Sequence, residues 1–164
     1  MNGAVGAKVR QSDPAVPDKL TLRLWLRLLA CETHIEKTLR ARLASEFAST
    51  LPRFDVLAAL EGAPDGLQLS ALSRRLRVSN GNVTVVVSRL TAEGLIDRRV
   101  LPTDGRAFRV SLTAKGRAAF LAMAKAHEAW IAEMFAGLDA GEQAQAFALL
   151  GALRLSLPDR GARP

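Results

Sequence analysis

The chain has 164 residues, of which 49% are hydrophobic and 24% are charged, so it can form one compact domain or a domain with a dimerisation extension. Lys and Arg outnumber Asp and Glu by 23 to 16, and the formal charge of +7 favours an anionic partner, either nucleic acid or an acidic ligand. Three kinds of feature are excluded. No apolar run is long enough for a transmembrane helix, and residues 1–17 lack the apolar region of a signal peptide. A single cysteine cannot form an internal disulfide. We expect a cytoplasmic protein with a flexible tail over residues 1–17.

Two helices are predicted before residue 62. The first covers residues 18–47, where apolar side chains recur at helical spacing: Trp25, Leu28, Leu29, Ile35, Leu39, Leu43 and Phe47. The second begins near Pro52, a residue that suits the first turn of a helix. Its buried side is expected to contain Phe54, Val56, Leu57 and Leu60.

Residues 69–116 read as helix, turn, helix and two short strands. Leu72 and Leu76 begin an apolar set that continues through Val78, Val83, Val86 or Val87, and Leu90. Ser79 is the expected N-cap of the second helix and a candidate DNA contact, and Gly94 can adopt the left-handed conformation that ends the helix. Six side chains are left outside, of types that contact base edges or phosphates: Asn80, Asn82, Thr84, Val85, Ser88 and Arg89.

The two strands are predicted to form a hairpin. Ile96 and Val100 lie on one strand, and Phe108, Val110 and Leu112 alternate with polar residues on the other. Asp104-Gly105 supplies the turn, and the hairpin is basic, with arginines at 98, 99, 106 and 109. The pattern predicts a mainly α fold with a small β wing, a winged helix-turn-helix that places a helix in the DNA major groove. An arginine on the wing suits the narrow minor groove.

Two more helices follow. Thr113 is the expected N-cap of a long helix. Asp139 and Glu142 have the spacing of a capping box at the start of a last helix, which Pro158 ends. The terminal helices together have more apolar surface than one small winged domain can cover. We therefore expect a homodimer, in which these stripes are buried against a second copy.

Several of these segments carry a family resemblance. VSNGNVTVVVSRLTAEGLIDR, then Asp104-Gly105-Arg106, then VSLTAKG over residues 110–116 resemble the multiple-antibiotic-resistance regulator (MarR) family of bacterial transcription factors. The resemblance implies dimerisation helices at 18–50 and 113–157, a DNA-binding domain at 51–112 and a tail at 158–164. It also implies that Arg106 enters the minor groove, that Asp104 braces the wing through an ion pair, and that the dimer represses from an inverted repeat. Val85 departs from the polar residue common there, so base preference cannot be transferred.

A small-molecule effector site is expected in a groove formed by residues 20–35 and 52–60. Trp25 and Phe54 can stack on an aromatic ring, and Asp55 can accept a hydrogen bond. A ligand carboxylate can pair with Arg23, Arg27, Arg53 or His34. The simpler interpretation places both aromatic rings in the core and the arginines on solvated faces. LRLWLRLLACETHIE, LPRFDVLAAL and GNVT additionally resemble a branch that senses hydroxycinnamoyl-coenzyme A thioesters.

Three alternatives compete with a ligand-responsive regulator. Cys31 is compatible with an oxidant sensor, but the chain has no tyrosine to hold a reactive thiolate, so we expect a buried, inert thiol. An architectural DNA binder without an effector is a second alternative. An enzyme is the third, and two histidines with no phosphate-binding loop leave little for catalysis; no metal or cofactor site is expected.

Overall fold

The computed structural model describes residues 19–101 and 104–158, with the side chains at 101 and 104–107 outside that description. Within it are six helices, α1 (Lys19–Phe47), α2 (Leu51–Glu61), α3 (Leu69–Leu76), α4 (Asn80–Ala92), α5 (Ala114–Phe135) and α6 (Ala140–Ser156). Three strands complete it, β1 (Leu67–Gln68), β2 (Ile96–Leu101) and β3 (Asp104–Leu112). The chain divides into two units, Met1–Lys37 and Thr38–Pro164. The predicted tail at 1–17 lies outside the described residues.

The first unit contains the N-terminal part of α1, which is largely exposed. Trp25 is 54% exposed, so the interpretation that places this ring in the core is wrong for the single chain. The helical spacing correctly predicted α1, but spacing does not reveal which apolar positions another element covers. Large apolar side chains remain exposed along this part of the helix: Leu20, Leu22, Leu24, Trp25, Leu26 and Leu29.

The core lies in the second unit, where α2 packs against α5 and also against α3 and α4. Phe54 stacks on the His127 ring with centroids 4.7 Å apart, and the Phe120 ring lies 5.6 Å from it. Phe54 is therefore part of the packing between α2 and α5, as the simpler interpretation expected. The largest fully buried side chains come from α1, α2, α3, α4 and β3: Leu43, Val56, Leu57, Leu60, Leu72, Val83, Leu90 and Val110.

The sheet is antiparallel with the order β1-β3-β2. β2 and β3 form the predicted hairpin, with Ile96 opposite Leu112 and Val100 opposite Phe108. The strand β1 was not predicted. It has two residues, with Leu67 paired to Val110, and so short a segment has no periodicity by which it could be recognised.

The expected helix starts are confirmed. Thr113 Oγ1 accepts a hydrogen bond from the Gly116 amide at 3.0 Å. Asp139 and Glu142 form a reciprocal capping box, with the side chain of each accepting from the backbone amide of the other at 2.9 Å. None of the described helices has the length and apolarity that a membrane crossing requires.

The helix α6 has no buried residue. Phe147 is 82% exposed and Leu155 is 88% exposed. The same helix also exposes Leu149, Leu150, Leu153 and the following Leu157. Phe147, Leu150, Leu153 and Leu157 recur at helical spacing, so an isolated chain leaves an apolar helix face in solvent, which is typical of an interaction surface, while Leu155 lies on another side.

Gly116 fixes the contact between the start of α5 and the start of the wing. A Cβ atom at this position would lie 1.9 Å from the Leu95 carbonyl oxygen, and that oxygen also accepts from the Thr113 amide at 3.1 Å. We expect Gly116→Ala to lower the free energy of unfolding by about 3 kcal/mol, because backbone and not a flexible side chain must move. Urea denaturation would measure the decrease. Gly137→Ala is the matched control, since its Cβ meets nothing within 4 Å. Equal stability of the two variants would contradict the close approach.

Candidate nucleic-acid interface

The helices α3 and α4 are held in the second unit by their buried sides. Leu72, Val83, Val87 and Leu90 are each no more than 3% exposed. Between the helices, Arg77 has φ 56° and ends α3 in the left-handed conformation. Val78, expected among the buried residues, is 45% exposed, because it lies in this turn outside either helix.

The start of α4 is fixed by side chains. Ser79 Oγ accepts from the Asn82 amide at 3.4 Å, which confirms Ser79 as the N-cap. Ser73 of α3 donates to Asn80 Oδ1, and the Thr84 hydroxyl donates to the Asn80 carbonyl at 2.8 Å. Sequence reasoning did not identify Ser73, since it faces Asn80 only after the two helices fold against each other.

The outward face of α4 is polar apart from Val85, as the sequence predicts. Its predicted contact residues are all exposed in the described structure: Ser79, Asn80, Asn82, Thr84, Val85, Ser88 and Arg89. Val85 is 54% exposed at the centre of this face. A capped helix with a buried side and a polar side containing one apolar position can fit into a groove lined by base edges.

The end of α4 is tied to two other helices. Gly94 has φ 71°, as predicted for the residue that ends the helix. Arg53 of α2 donates to both carboxylate oxygens of Glu93, and Lys115 Nζ donates to the Glu93 carbonyl at 2.8 Å. The hydrogen bonds from Arg53 lower the pKa of the Glu93 carboxylate, burial opposes that shift, and the charges of Arg53, Lys115 and Arg89 add to it. The outward face of α4 is therefore held at both ends by hydrogen bonds.

The wing adds positive charge beside α4. The Arg98 guanidinium lies 3.4 Å from the Phe108 ring centroid, and Arg99 Nε pairs with Asp97 at 3.3 Å. Arg109 is directed away from the hairpin tip, since it donates to the carbonyls of Asp65 and Gly66 before β1. The predicted roles of Asp104 and Arg106 concern side chains outside the described part of the structure.

Exposed arginines are concentrated on α3, α4 and the wing. This group consists of Arg74, Arg75, Arg77, Arg89, Arg98, Arg99 and Arg109. A polyanion such as DNA is the partner that such a distribution favours.

The residues predicted to bind an effector are divided between the two units. Trp25, Arg27 and His34 are exposed in the first unit, whereas Phe54 and Asp55 are partly buried in the second. Arg53, proposed as a partner for a carboxylate ligand, already pairs with Glu93. A shared effector site for these residues stays a prediction.

Cys31 is exposed in the described structure, so the expectation of a buried thiol is wrong for the single chain. Cys31 lies in the N-terminal part of α1, as Trp25 does. The two buried residues of this helix, Leu39 and Leu43, both lie in its C-terminal part.

Comparisons with known proteins agree with this geometry. Residues 50–107 match the model of the MarR family. The chain is 35% identical over 83 residues to the uncharacterised HTH-type transcriptional regulator YkoM of Bacillus subtilis, an alignment that covers 51% of this chain and 54% of the relative. The chain thus spans about half the length of the curated relatives it matches.

Solved structures match over much more of the chain. A MarR family transcriptional regulator from Silicibacter pomeroyi is similar with a TM-score of 0.74 and 29% identity, over 88% of this chain and 99% of that one. Sco3205 from Streptomyces coelicolor, a MarR family regulator solved in complex with DNA, gives a TM-score of 0.78 at 18% identity, over 92% and 95% of the two chains. At 18% identity, the likeness to Sco3205 shows a similar fold and nothing more.

Proposed function

We propose that the chain is a member of the non-enzymatic MarR family of winged helix-turn-helix transcriptional regulators and that it binds DNA as a sequence-specific dimer. The observation that carries the proposal is the exposed polar face of α4, anchored at both ends and flanked by the arginines of α3 and the wing. The proposal is supported by Sco3205, which has a similar fold and was solved in complex with DNA.

The side chains of α4 divide by their existing hydrogen bonds. Asn80 already accepts from Ser73, and the Thr84 hydroxyl already donates to the backbone. A bidentate contact with adenine needs both the oxygen and the nitrogen of an amide. Asn82 is therefore the better candidate for such a contact, while Val85 can meet a thymine methyl group. Ser79, Ser88 and Arg89 are assigned to phosphates or nearby base edges.

The wing is assigned to the minor groove. By the family likeness, Arg106 enters the groove and Asp104 braces the hairpin from which it projects. The exposed Arg98 and Arg99 lie on the same hairpin and add charge there.

Dimerisation places two copies of α4 on one DNA molecule. The exposed apolar faces of α1 and α6 support a homodimer, because each leaves large side chains in solvent. Half-sites of an inverted repeat should then lie about 10 base pairs apart, one helical turn, on the same side of the duplex.

The regulatory part of the proposal is a repressor released by a small aromatic or anionic effector. Trp25, Arg27 and His34, which are exposed on α1, are its proposed contacts. The first helix resembles that of the branch that senses hydroxycinnamoyl-coenzyme A thioesters. A hydroxycinnamoyl-coenzyme A thioester is therefore the first compound to test for release of operator DNA.

Selection from a randomised half-site library tests the assignment of α4 and the wing. We expect Asn82→Ala to cost about 1–3 kcal/mol of binding free energy on the selected site and to relax preference at one base-pair position per half-site. Arg106→Ala should weaken binding to all sequences alike and lower the salt slope by about one unit. Lys125→Ala, at an exposed position on α5, is the control and should change neither the base preference nor the salt slope. Unchanged specificity in Asn82→Ala, together with altered major-groove preference in Arg106→Ala, would show that the assignment is reversed.

A further inference from the structure

A buried serine of α3 bridges the turn that leads to the DNA-binding face of α4. Ser73 is 7% exposed, and its carbonyl oxygen accepts a hydrogen bond from the Val78 amide at 3.1 Å. Its hydroxyl meets the side chain of Asn80, the first residue of α4. Ser73 therefore contacts the turn through its backbone and the start of α4 through its side chain.

The hydrogen bond between these side chains determines which end of the Asn80 amide faces inward. Ser73 Oγ lies 2.5 Å from Asn80 Oδ1, a distance within the range of O–H···O hydrogen bonds and below that of N–H···O hydrogen bonds. The Ser70 carbonyl, a second acceptor near the same hydroxyl, is more distant at 3.2 Å. The hydroxyl therefore donates to Oδ1, and the two N–H donors of Nδ2 remain for a partner.

The backbone around Asn80 is held by hydrogen bonds as well. Ser79 Oγ accepts from the Asn82 amide at 3.4 Å, and the Thr84 hydroxyl donates to the Asn80 carbonyl at 2.8 Å. Asn80 is nevertheless exposed. An exposed side chain ordinarily samples several rotamers, and the hydrogen bond to a buried serine restricts Asn80 to one of them. The amide is thus oriented before any partner binds, which lowers the cost of binding.

An amide that presents only its donors distinguishes among the bases. In the major groove guanine offers the acceptors O6 and N7 and thymine offers O4, whereas adenine and cytosine have a donor amino group in place of that carbonyl. An outward Nδ2 of Asn80 can donate to the carbonyl of guanine or thymine, and it meets another donor at adenine or cytosine. A bidentate contact with adenine is closed to it, because that contact also needs the amide oxygen.

We propose that Ser73 is a positioning residue for base specificity: it holds Oδ1 of Asn80, so that Nδ2 selects guanine or thymine over adenine or cytosine at one base-pair position of each half-site. This inference rests on the proposed function, since it concerns the bases that α4 reads. It assigns a role in specificity to a side chain that is itself buried inside the DNA-binding motif.

Selection from a randomised half-site library, carried out with the full chain and its variants, tests the base preference. Asn80→Ala identifies the position concerned, as the one at which preference is lost. There the unchanged chain should favour guanine or thymine over adenine by about fivefold, the effect of one hydrogen bond. Ser73→Ala frees the amide to turn, so adenine should equal guanine within about twofold. Asn80→Asp presents an oxygen in place of Nδ2 and should favour cytosine or adenine.

The matched control is Ser70→Ala, which removes an exposed hydroxyl from the same helix and should give the preference of the unchanged chain. Ser73→Ala should keep its helix content by circular dichroism, because alanine suits a helix interior. Asn80→Asp tests the same assignment without any change at Ser73. Selection of adenine or cytosine by the unchanged chain would show that the amide is reversed, and that result would overturn the proposal. An unaltered preference in Ser73→Ala, or no position at which Asn80→Ala loses preference, would overturn it as well.

NMR of the free protein tests the positioning without DNA. Three-bond couplings across the χ1 angle of Asn80 should report a single rotamer in the unchanged chain and an average over rotamers in Ser73→Ala. Averaged couplings in the unchanged chain would overturn the proposal and leave the proposed function intact. A single rotamer in a chain that selects no DNA sequence would instead refute the proposed function, and with it the assignment of a base to Asn80.

Discussion

Binding of the chain to the proposed inverted repeat is expected to weaken by about a thousandfold or more between 50 and 200 mM salt. The reason is counterion release: each phosphate neutralised by a cation frees condensed counterions, and the logarithm of affinity falls by about 0.9 per phosphate for each logarithm of salt. Seven arginines are exposed on α3, the turn after it, α4 and the wing of one protomer. A dimer therefore has ample charge to neutralise the six or more phosphates that so steep a dependence requires.

Fluorescence anisotropy with a labelled duplex over a salt series measures the slope. Arg89→Gln removes a charge from the face of α4 and should lower the slope by about one unit for each phosphate that is no longer neutralised. Lys125→Gln removes the same charge from α5 and should leave the slope as it is. If affinity changes less than about tenfold over this range, few phosphates are bound and the arginines serve another purpose.

The features that the sequence predicted well are those that depend on local chemistry. Ser79, Thr113 and the Asp139–Glu142 pair were predicted as caps because a cap bonds to a backbone amide within three residues. Gly94 was predicted to end α4 because a left-handed φ is a property of one residue. Exposure of the α4 face followed from helical periodicity, since four apolar positions define the buried side and hence its opposite.

The features that sequence reasoning missed or misjudged depend on distant parts of the chain. The Arg53–Glu93 pair joins residues 40 positions apart, and nothing in either segment indicates the other. Ser73 and Asn80 lie on different helices and meet only through the turn between them. Cys31 and Trp25 were expected to be buried because an apolar helix stripe must be covered, but periodicity cannot distinguish a cover from the same chain from one supplied by a second copy.

The exposed leucines of α6 allow the proposed pairing with a second copy to be tested. Leu150 and Leu153 are 50% and 39% exposed on α6, and we expect the double change Leu150→Glu with Leu153→Glu to convert the proposed dimer to a monomer. Two carboxylates from each protomer would have to be buried without partners at the interface, which is far more costly than leaving them in water. The fold of the protomer should survive, because α6 contributes no buried residue to it.

Conversion to a monomer should reduce affinity for the full inverted repeat by about a hundredfold to ten-thousandfold, since the second half-site is no longer bound by a tethered copy. Affinity for a duplex with one half-site should change little, because the α4 surface is untouched. Analytical ultracentrifugation reports the mass, circular dichroism the helix content, and anisotropy the two affinities. Leu155→Glu, at a position 88% exposed on another side of α6, is the matched control and should remain a dimer. A double variant that remains dimeric at micromolar concentration, or a monomer that binds the inverted repeat as tightly as the unchanged chain, would show that α6 does not pair the two DNA-binding surfaces.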